Sequence, residues 1–405
     1  MKIVFLCEGF DSFTVIAQPW RHIHEIALRL QKLGHEVKVL TDLVGGLPRN
    51  ESIHGISVHR IKKHFGLFDF DELLTALNGD NIDVVNWVGG PLSTFYFWRL
   101  QNAIRKDIVW TMYKGGLTVE DLKNASLKEL FSLLNNVQFL YLLFPKFVVK
   151  NGATSPKVRK IIVWSKRTWR YLKDIGVNTD KITIISSGVD TAVFKPQSAS
   201  EAFRLKEKFG LKSDDPVVLY FGPLVSLRGI DTLILAMDKI TKKQNDANLL
   251  VLARDYQENK ESKFLKSMKN KNNIYVLTKN FSQSDIVKLL GLADTVVLPF
   301  KSWPHQECPL TILEAMAMSK TVITTSIWPV EEIIRDGKTG VLVSPNNVDA
   351  LSEKIVEVLS DREKRAEIGR KARDYVVNFH DWNIIAKKNF DILKTSAQPS
   401  AHSSL

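Results

Sequence analysis

The stretch richest in chemistry runs from Trp303 to Thr325, WPHQECPLTILEAMAMSKTVITT. Pro299 closes an apolar run, and Pro309, with its fixed φ, suits the first position of a helix. Leu310 and Thr311 then present backbone N–H groups with no acceptor inside the helix. Together with the helix dipole those amides make an anion site suited to a diphosphate. Glu314 follows Leu310 by four residues and Thr311 by three, one turn along the same face. A turn rises about 5.4 Å, close to the offset between a diphosphate and its ribose hydroxyls, so the carboxylate is placed to accept two hydroxyl hydrogen bonds. Spacing alone leaves a second option, a Glu314 that is simply a solvated helix residue.

Other reactive types are discounted. His22 and His24 stand two apart on a helix and point to different faces, which argues against a metal pair. His305 reads as a loop residue. Cys7 and Cys308 leave no CxxC or Cys/His spacing for zinc. The glycine turns lack the spacing of a dinucleotide fingerprint, which excludes NAD binding.

The elements that must position these residues follow from apolar periodicity. Lys2 to Cys7 reads as a buried strand. A helix opening at Pro19 carries Ile23, Ile26, Ala27, Leu30 and Leu33 on one face, Gly34 stops it, and Val37 to Thr41 is the next strand. Further strand runs are Val58–Ile61, Val84–Val88, Ile108–Met112, Ile161–Trp164 and Ile182–Ile185. Gly188 to Ser200 reads as a linker. A second alternation then begins, with strands at Pro216–Gly222, Asn248–Ala253, Ile274–Leu277, Thr295–Pro299, Thr321–Thr324 and Val341–Val343. Helices are expected near 229–242, 258–270, 282–292, 309–318 and 330–336, with a helical tail from about 347 to 395 and a frayed end. The pattern predicts two Rossmann-like, doubly wound α/β domains with parallel sheets facing across a cleft. The expected boundaries are 1–187, 188–380 and 381–405, the last being a helix that packs back on the first domain.

Composition bounds the reading. The 405 residues hold 56 Lys and Arg against 44 Asp and Glu, 44% apolar residues and 2 Cys, which excludes disorder and a disulfide scaffold. With two cysteines and too short an apolar run at the start for a secretory signal, a cytoplasmic location is expected. Leu130 to Lys173 contains no acid but nine Lys and Arg. Next to an aromatic-rich apolar segment, such a block suits an anionic membrane surface, which would make the protein peripheral on the inner face of the membrane. The alternative is a solvated basic face. No recognised motif accompanies the charge, so nucleic acid is not an expected partner.

"PLTILEAMA", "TVITT" and "DGKTGVLVSP" resemble the carboxyl half of retaining glycosyltransferases of family 4, which have the two-domain GT-B fold. "RHIHEIALRLQKLGHEVKVLT", "SSGVDTAVFKP", "GPLVSLRGIDTLILAM" and "LADTVVLP" agree in order and spacing over nearly the whole chain. The resemblance implies a nucleotide-diphosphate sugar as donor, bound mainly by the second domain, and a glycan or lipid-linked acceptor bound by the first. It implies transfer with retention and without a metal or cofactor. Glu314 then holds the ribose, and the amides of the Pro309–Thr311 segment hold the diphosphate. Counting back eight residues from Glu314 reaches Gln306, an amide where the family carries a carboxylate, with Glu307 one place late. The family's two diphosphate cations, after the glycine that corresponds to Gly222, map onto Pro223 and Arg228, so one is missing and the other is an Arg able to grip phosphate bidentately. Where the family has a loop His near the donor sugar, this chain has Tyr113 and Lys114. Its glycine pairs are replaced by Gln18-Pro19 and Trp328-Pro329. Gln18, Trp20 and Arg21 fall on the acceptor side. The rival implied by these departures is a catalytically degenerate GT-B protein that binds nucleotide or glycan as a partner subunit.

Overall fold

The structure, a computed structural model, describes residues 1–79, 81–113, 145–242, 247–253, 263–268, 271–279, 281–301, 309–328 and 330–397. The chain divides into two compact units, one of Met1–Ser187 with Trp382–Leu405 and one of Gly188–Asp381.

The first unit contains β1 (Lys2–Leu6), β2 (Glu36–Asp42), β3 (Asn50–Ile53), β4 (Ile56–Ile61), β5 (Lys63–His64), β6 (Leu67–Phe68), β7 (Val84–Val88), β8 (Ile108–Met112), β9 (Val158–Val163) and β10 (Ile182–Ile184). Eight of them form one sheet in the order β10-β9-β8-β7-β1-β2-β4-β3. β7 and β8 are buried along their full length, as expected for parallel strands covered by helices on both faces. The direction of winding reverses between β1 and β7. The edge strand β3 runs antiparallel to β4, and β5 with β6 makes a separate hairpin. Neither is expected from the sequence, because Asn-Glu-Ser-Ile and two-residue strands carry too little apolar pattern to register.

The Trp20–Lys32 helix buries Ile23, Ile26, Ala27 and Leu30. Leu33, expected on the same face, is exposed, because the helix ends at Lys32 and Leu33 is its C-cap. The Trp382–Ser396 helix lies against it. Arg29 Nε donates to Asn383 Oδ1 at 3.1 Å, and His35 stacks on Phe390 at 4.4 Å.

The second unit holds β11 (Val217–Phe221), β12 (Asn248–Ala253), β13 (Ile274–Thr278), β14 (Thr295–Leu298), β15 (Thr321–Thr325) and β16 (Val341–Val343) in the order β13-β12-β11-β14-β15-β16, all parallel. The winding reverses between β11 and β14, and sheets of this kind bind ligands at the carboxyl ends of the strands flanking such a reversal. Two parallel α/β units are what the sequence predicts. The Ala199–Lys208 helix begins inside the expected linker, set by a capping box between Ser198 and Glu201. The helix expected at 330–336 is only a 3-10 turn over Val330–Glu332.

Candidate functional site

In the second unit the reversal point is built from two loops. β11 is followed by Gly222, whose φ is +155°, and the buried Tyr220 hydroxyl donates to the Pro223 carbonyl at 2.8 Å, fixing the start of the first loop. The chain then makes a 3-10 turn, Ser226–Arg228, and passes through Gly229 at φ +73° into the Ile230–Ile240 helix. A Cβ on Gly229 would lie 1.7 Å from the Pro299 carbonyl oxygen. Only glycine lets this turn press against the end of β14. Arg228, half-buried, lies over the Phe300 ring with its guanidinium carbon 5.3 Å from the centroid.

The Leu310–Ala317 helix follows β14 in the chain. Pro309 sits at its N-cap, φ −64° and ψ 113°, and not at the first helical position the sequence suggests. Its extended ψ leaves the Pro309 carbonyl to accept the Ile312 N–H at 3.0 Å. The amides of Leu310 and Thr311 meet no acceptor among the described residues. Glu314 is only 3% exposed, which removes the option of a solvated side chain. Burial of a carboxylate is costly unless hydrogen bonds compensate, so the position demands polar partners. Trp328 donates its indole N–H to Glu332 at 2.7 Å. Gln306, Glu307, His305, Lys114 and Pro329 lie outside the described residues, as does the 130–144 part of the basic block.

In the first unit the ends of β8 and β9 carry Tyr113 and Trp164, their rings 5.8 Å apart. Of the residues expected on the acceptor side, Gln18 is 8% exposed and donates to the Ser187 hydroxyl. Its Oε1 has no partner among the described residues. Trp20 donates its indole N–H to the Glu8 carbonyl at 2.6 Å. Arg21 lies 3.8 Å from Glu25 on its own helix.

Sequence reasoning weighed His22 only as a metal ligand and missed its burial. Its ring is buried between Trp164 at 4.5 Å and Trp382 at 5.5 Å, and neither ring nitrogen has a hydrogen-bond partner among the described residues. The signal was available, since His22 precedes Ile26 by four residues and shares its face. Burial pushes its pKa from 6.5 down to about 3, so the folded protein holds it neutral. The unfolded chain takes up a proton below about pH 6.5, so this residue's contribution to stability falls as pH drops from there towards 3. At pH 5 that loss is about 2 kcal/mol. Urea denaturation at pH 7 and pH 5 is expected to show that extra loss in the unsubstituted protein and not in His22→Phe. Equal losses would rule it out.

Residues 201–375 match the family model described as glycosyl transferases group 1, and residues 20–193 match glycosyltransferase family 4. The chain is 28% identical over 405 residues to an uncharacterized glycosyltransferase of Methanocaldococcus jannaschii, covering 93% of this chain and 94% of that one. It is 25% identical over 248 residues to a GDP-mannose-dependent alpha-(1-6)-phosphatidylinositol monomannoside mannosyltransferase of Mycobacterium tuberculosis, covering 55% of this chain and 64% of that one. Among solved structures, Anabaena Alr3699/HepE in complex with UDP aligns over 98% of this chain and 100% of its own, with TM-score 0.76 and 18% identity. Sucrose-phosphate synthase from Thermosynechococcus elongatus aligns over 97% and 98%, with TM-score 0.75 and 18% identity.

Proposed function

The chain belongs to the group 1, family 4 glycosyltransferases of GT-B fold, and from that premise we propose that it moves a sugar from a nucleotide-diphosphate sugar to an acceptor hydroxyl with retention of configuration. The observation that carries the donor side is Arg228 held at the β11/β14 reversal, in the same unit as the open Leu310 and Thr311 amides and the buried Glu314. Glu314 grips the ribose, Gly222 lets the donor approach the backbone, and the amides and Arg228 take the diphosphate. Gln306, Glu307 and Tyr113 serve the donor sugar, while Gln18, Trp20 and Arg21 serve the acceptor. The bond from the anomeric carbon to the diphosphate breaks, the acceptor oxygen bonds to that carbon on the same face, and the acceptor proton passes to a diphosphate oxygen. No metal or cofactor takes part. The Anabaena complex with UDP and the GDP-mannose-dependent relatives support a nucleotide-bound donor.

The test is a transfer and hydrolysis assay with UDP-, GDP- and ADP-sugars, the product anomer being read by NMR. Glu314→Ala is expected to raise the donor KM about 10–100-fold, the loss of one or two buried hydrogen bonds to a charged group. Binding without turnover across the panel would mark the chain as a degenerate partner subunit instead.

We propose a peripheral location on the cytoplasmic face of a membrane, and the described part of the basic region supports it. The Ser93–Leu100 and Lys146–Ala153 helices pack so closely that a Cβ on Gly152 would lie 2.3 Å from the Thr94 carbonyl oxygen. They expose Trp98 and Phe147, the latter 61% exposed, beside Arg99, Lys146 and Lys150, with no acid on either helix. No helix among the described residues is long and apolar enough to cross a membrane. The face suits a lipid-linked acceptor presented at an anionic bilayer. Lys146→Glu with Lys150→Glu is expected to weaken co-sedimentation with anionic vesicles at least 30-fold, at about 1 kcal/mol per basic residue. Equal binding to neutral and anionic vesicles would sink this placement.

A further inference from the structure

Lys301 lies in the loop that leaves β14, and its side chain does not face open solvent. Its Nζ is 2.6 Å from Asp231 Oδ2 and 3.2 Å from the Ser226 hydroxyl. The Ser226 hydroxyl donates to the same Asp231 oxygen at 2.8 Å. The Lys301 backbone N–H donates to the Leu227 carbonyl at 3.1 Å. Asp231 occupies the first turn of the Ile230–Ile240 helix, where the helix dipole favours a negative charge. Burial would raise its carboxyl pKa, but the hydrogen bonds from Lys301 and Ser226 outweigh this and hold it below the usual range, so the group stays ionised. The ties are made from Ser226 and Leu227 on one side of Arg228 and from Asp231 on the other.

We infer that the Asp231–Lys301 pair is a positioning clasp, which sets the Arg228 guanidinium against the diphosphate of the donor without touching that diphosphate itself. This rests on the reading of Arg228 given above. Three observations carry it. The positive charge of Lys301 is already met by a carboxylate at 2.6 Å, so it is not offered to a ligand. Its backbone and side chain both hold the turn that Arg228 closes. Pro223 stands where a second cation would serve, so one guanidinium carries the charge, and an error of about 1 Å in a positioned group can cost on the order of 10²-fold in rate. Asp231 and Lys301 are therefore positioning residues, and their loss acts through Arg228.

The experiment is steady-state kinetics on the full chain with whichever UDP-, GDP- or ADP-sugar turns over, using Lys301→Met, Lys301→Arg and Asp231→Asn, alone and combined with Arg228→Ala. Lys301→Met is expected to lower kcat about tenfold with donor KM changed less than twofold. Lys301→Arg should recover most of the loss. In the Arg228→Ala background Lys301→Met should cost nothing further. An unchanged kcat in a Lys301→Met protein that melts normally overturns the clasp. So does a loss that adds in full to that of Arg228→Ala, which would make Lys301 a direct phosphate ligand. If Lys301→Met does not fold, Asp231→Asn, which keeps the side-chain volume, carries the same comparison. Failure of the underlying reading is separate and visible: Arg228→Ala itself would then leave kcat intact, removing the purpose of the clasp.

Discussion

Replacing Arg228 by alanine is expected to lower kcat about 10²–10³-fold, the range seen when a preorganised charge-stabilising donor is removed from a transition state. The proposed reaction expels a nucleoside diphosphate, and negative charge grows on its oxygens as the anomeric bond stretches. Three features hold the guanidinium at the proposed donor site: the Phe300 ring beneath it, the Gly229 contact beside it and the position of its loop at the reversal of the sheet. The open amides of Leu310 and Thr311 remain in the variant and keep part of the stabilisation, so donor KM should shift far less than kcat. Arg228→Lys should restore only part of the rate, because an ammonium cannot make the paired, planar contact with two phosphate oxygens. Thermal melting should stay within a few degrees of the unsubstituted protein, since the side chain is half-exposed. A kcat within threefold of the original would refute the assignment.

Gly229→Ala is expected to destabilise the second unit by about 4 kcal/mol or more, which places it among the rare severe substitutions. Two terms act together. The residue holds φ +73°, where a Cβ costs roughly 1–2 kcal/mol. The new methyl would also lie 1.7 Å from the Pro299 oxygen and 2.6 Å from its carbonyl carbon. Both atoms are backbone at the end of a buried strand, so no side chain can swing aside. Gly337, at φ +68° with nothing within 4 Å, isolates the first term, and Gly337→Ala should cost only that roughly 1–2 kcal/mol. Urea titration of both variants separates the two contributions. A Gly229→Ala loss no larger than that of Gly337→Ala would show that the two loops are not in contact.

Much of the architecture is legible in the sequence because parallel sheets bury both faces, so Val217–Phe221 and Asn248–Ala253 stand out as unbroken apolar runs. β3 escapes notice because an edge strand needs only Ile53 for the core and is otherwise polar. The Ala199–Lys208 helix is masked by the serines and proline ahead of it, although Ser198 and Glu201 already spell its capping box. At the site, the spacing of Pro309, Leu310 and Glu314 is readable, whereas the burial of Glu314 is not, since it depends on elements distant in the chain. Arg228 can be picked out by its place after Gly222, but the Phe300 ring beneath it and the Lys301 that pairs with Asp231 come from a loop about 70 residues on. Position in a pattern is local information, and contact partners across a parallel sheet are not.

The first unit is closed by a helix that the chain supplies only after Gly188–Asp381 has been made. On the ribosome the amino-terminal sheet therefore emerges early yet waits for Trp382 to arrive and cover the His22 ring. A nascent chain that has not yet delivered that tryptophan would present the uncovered flank of the Trp20–Lys32 helix to chaperones.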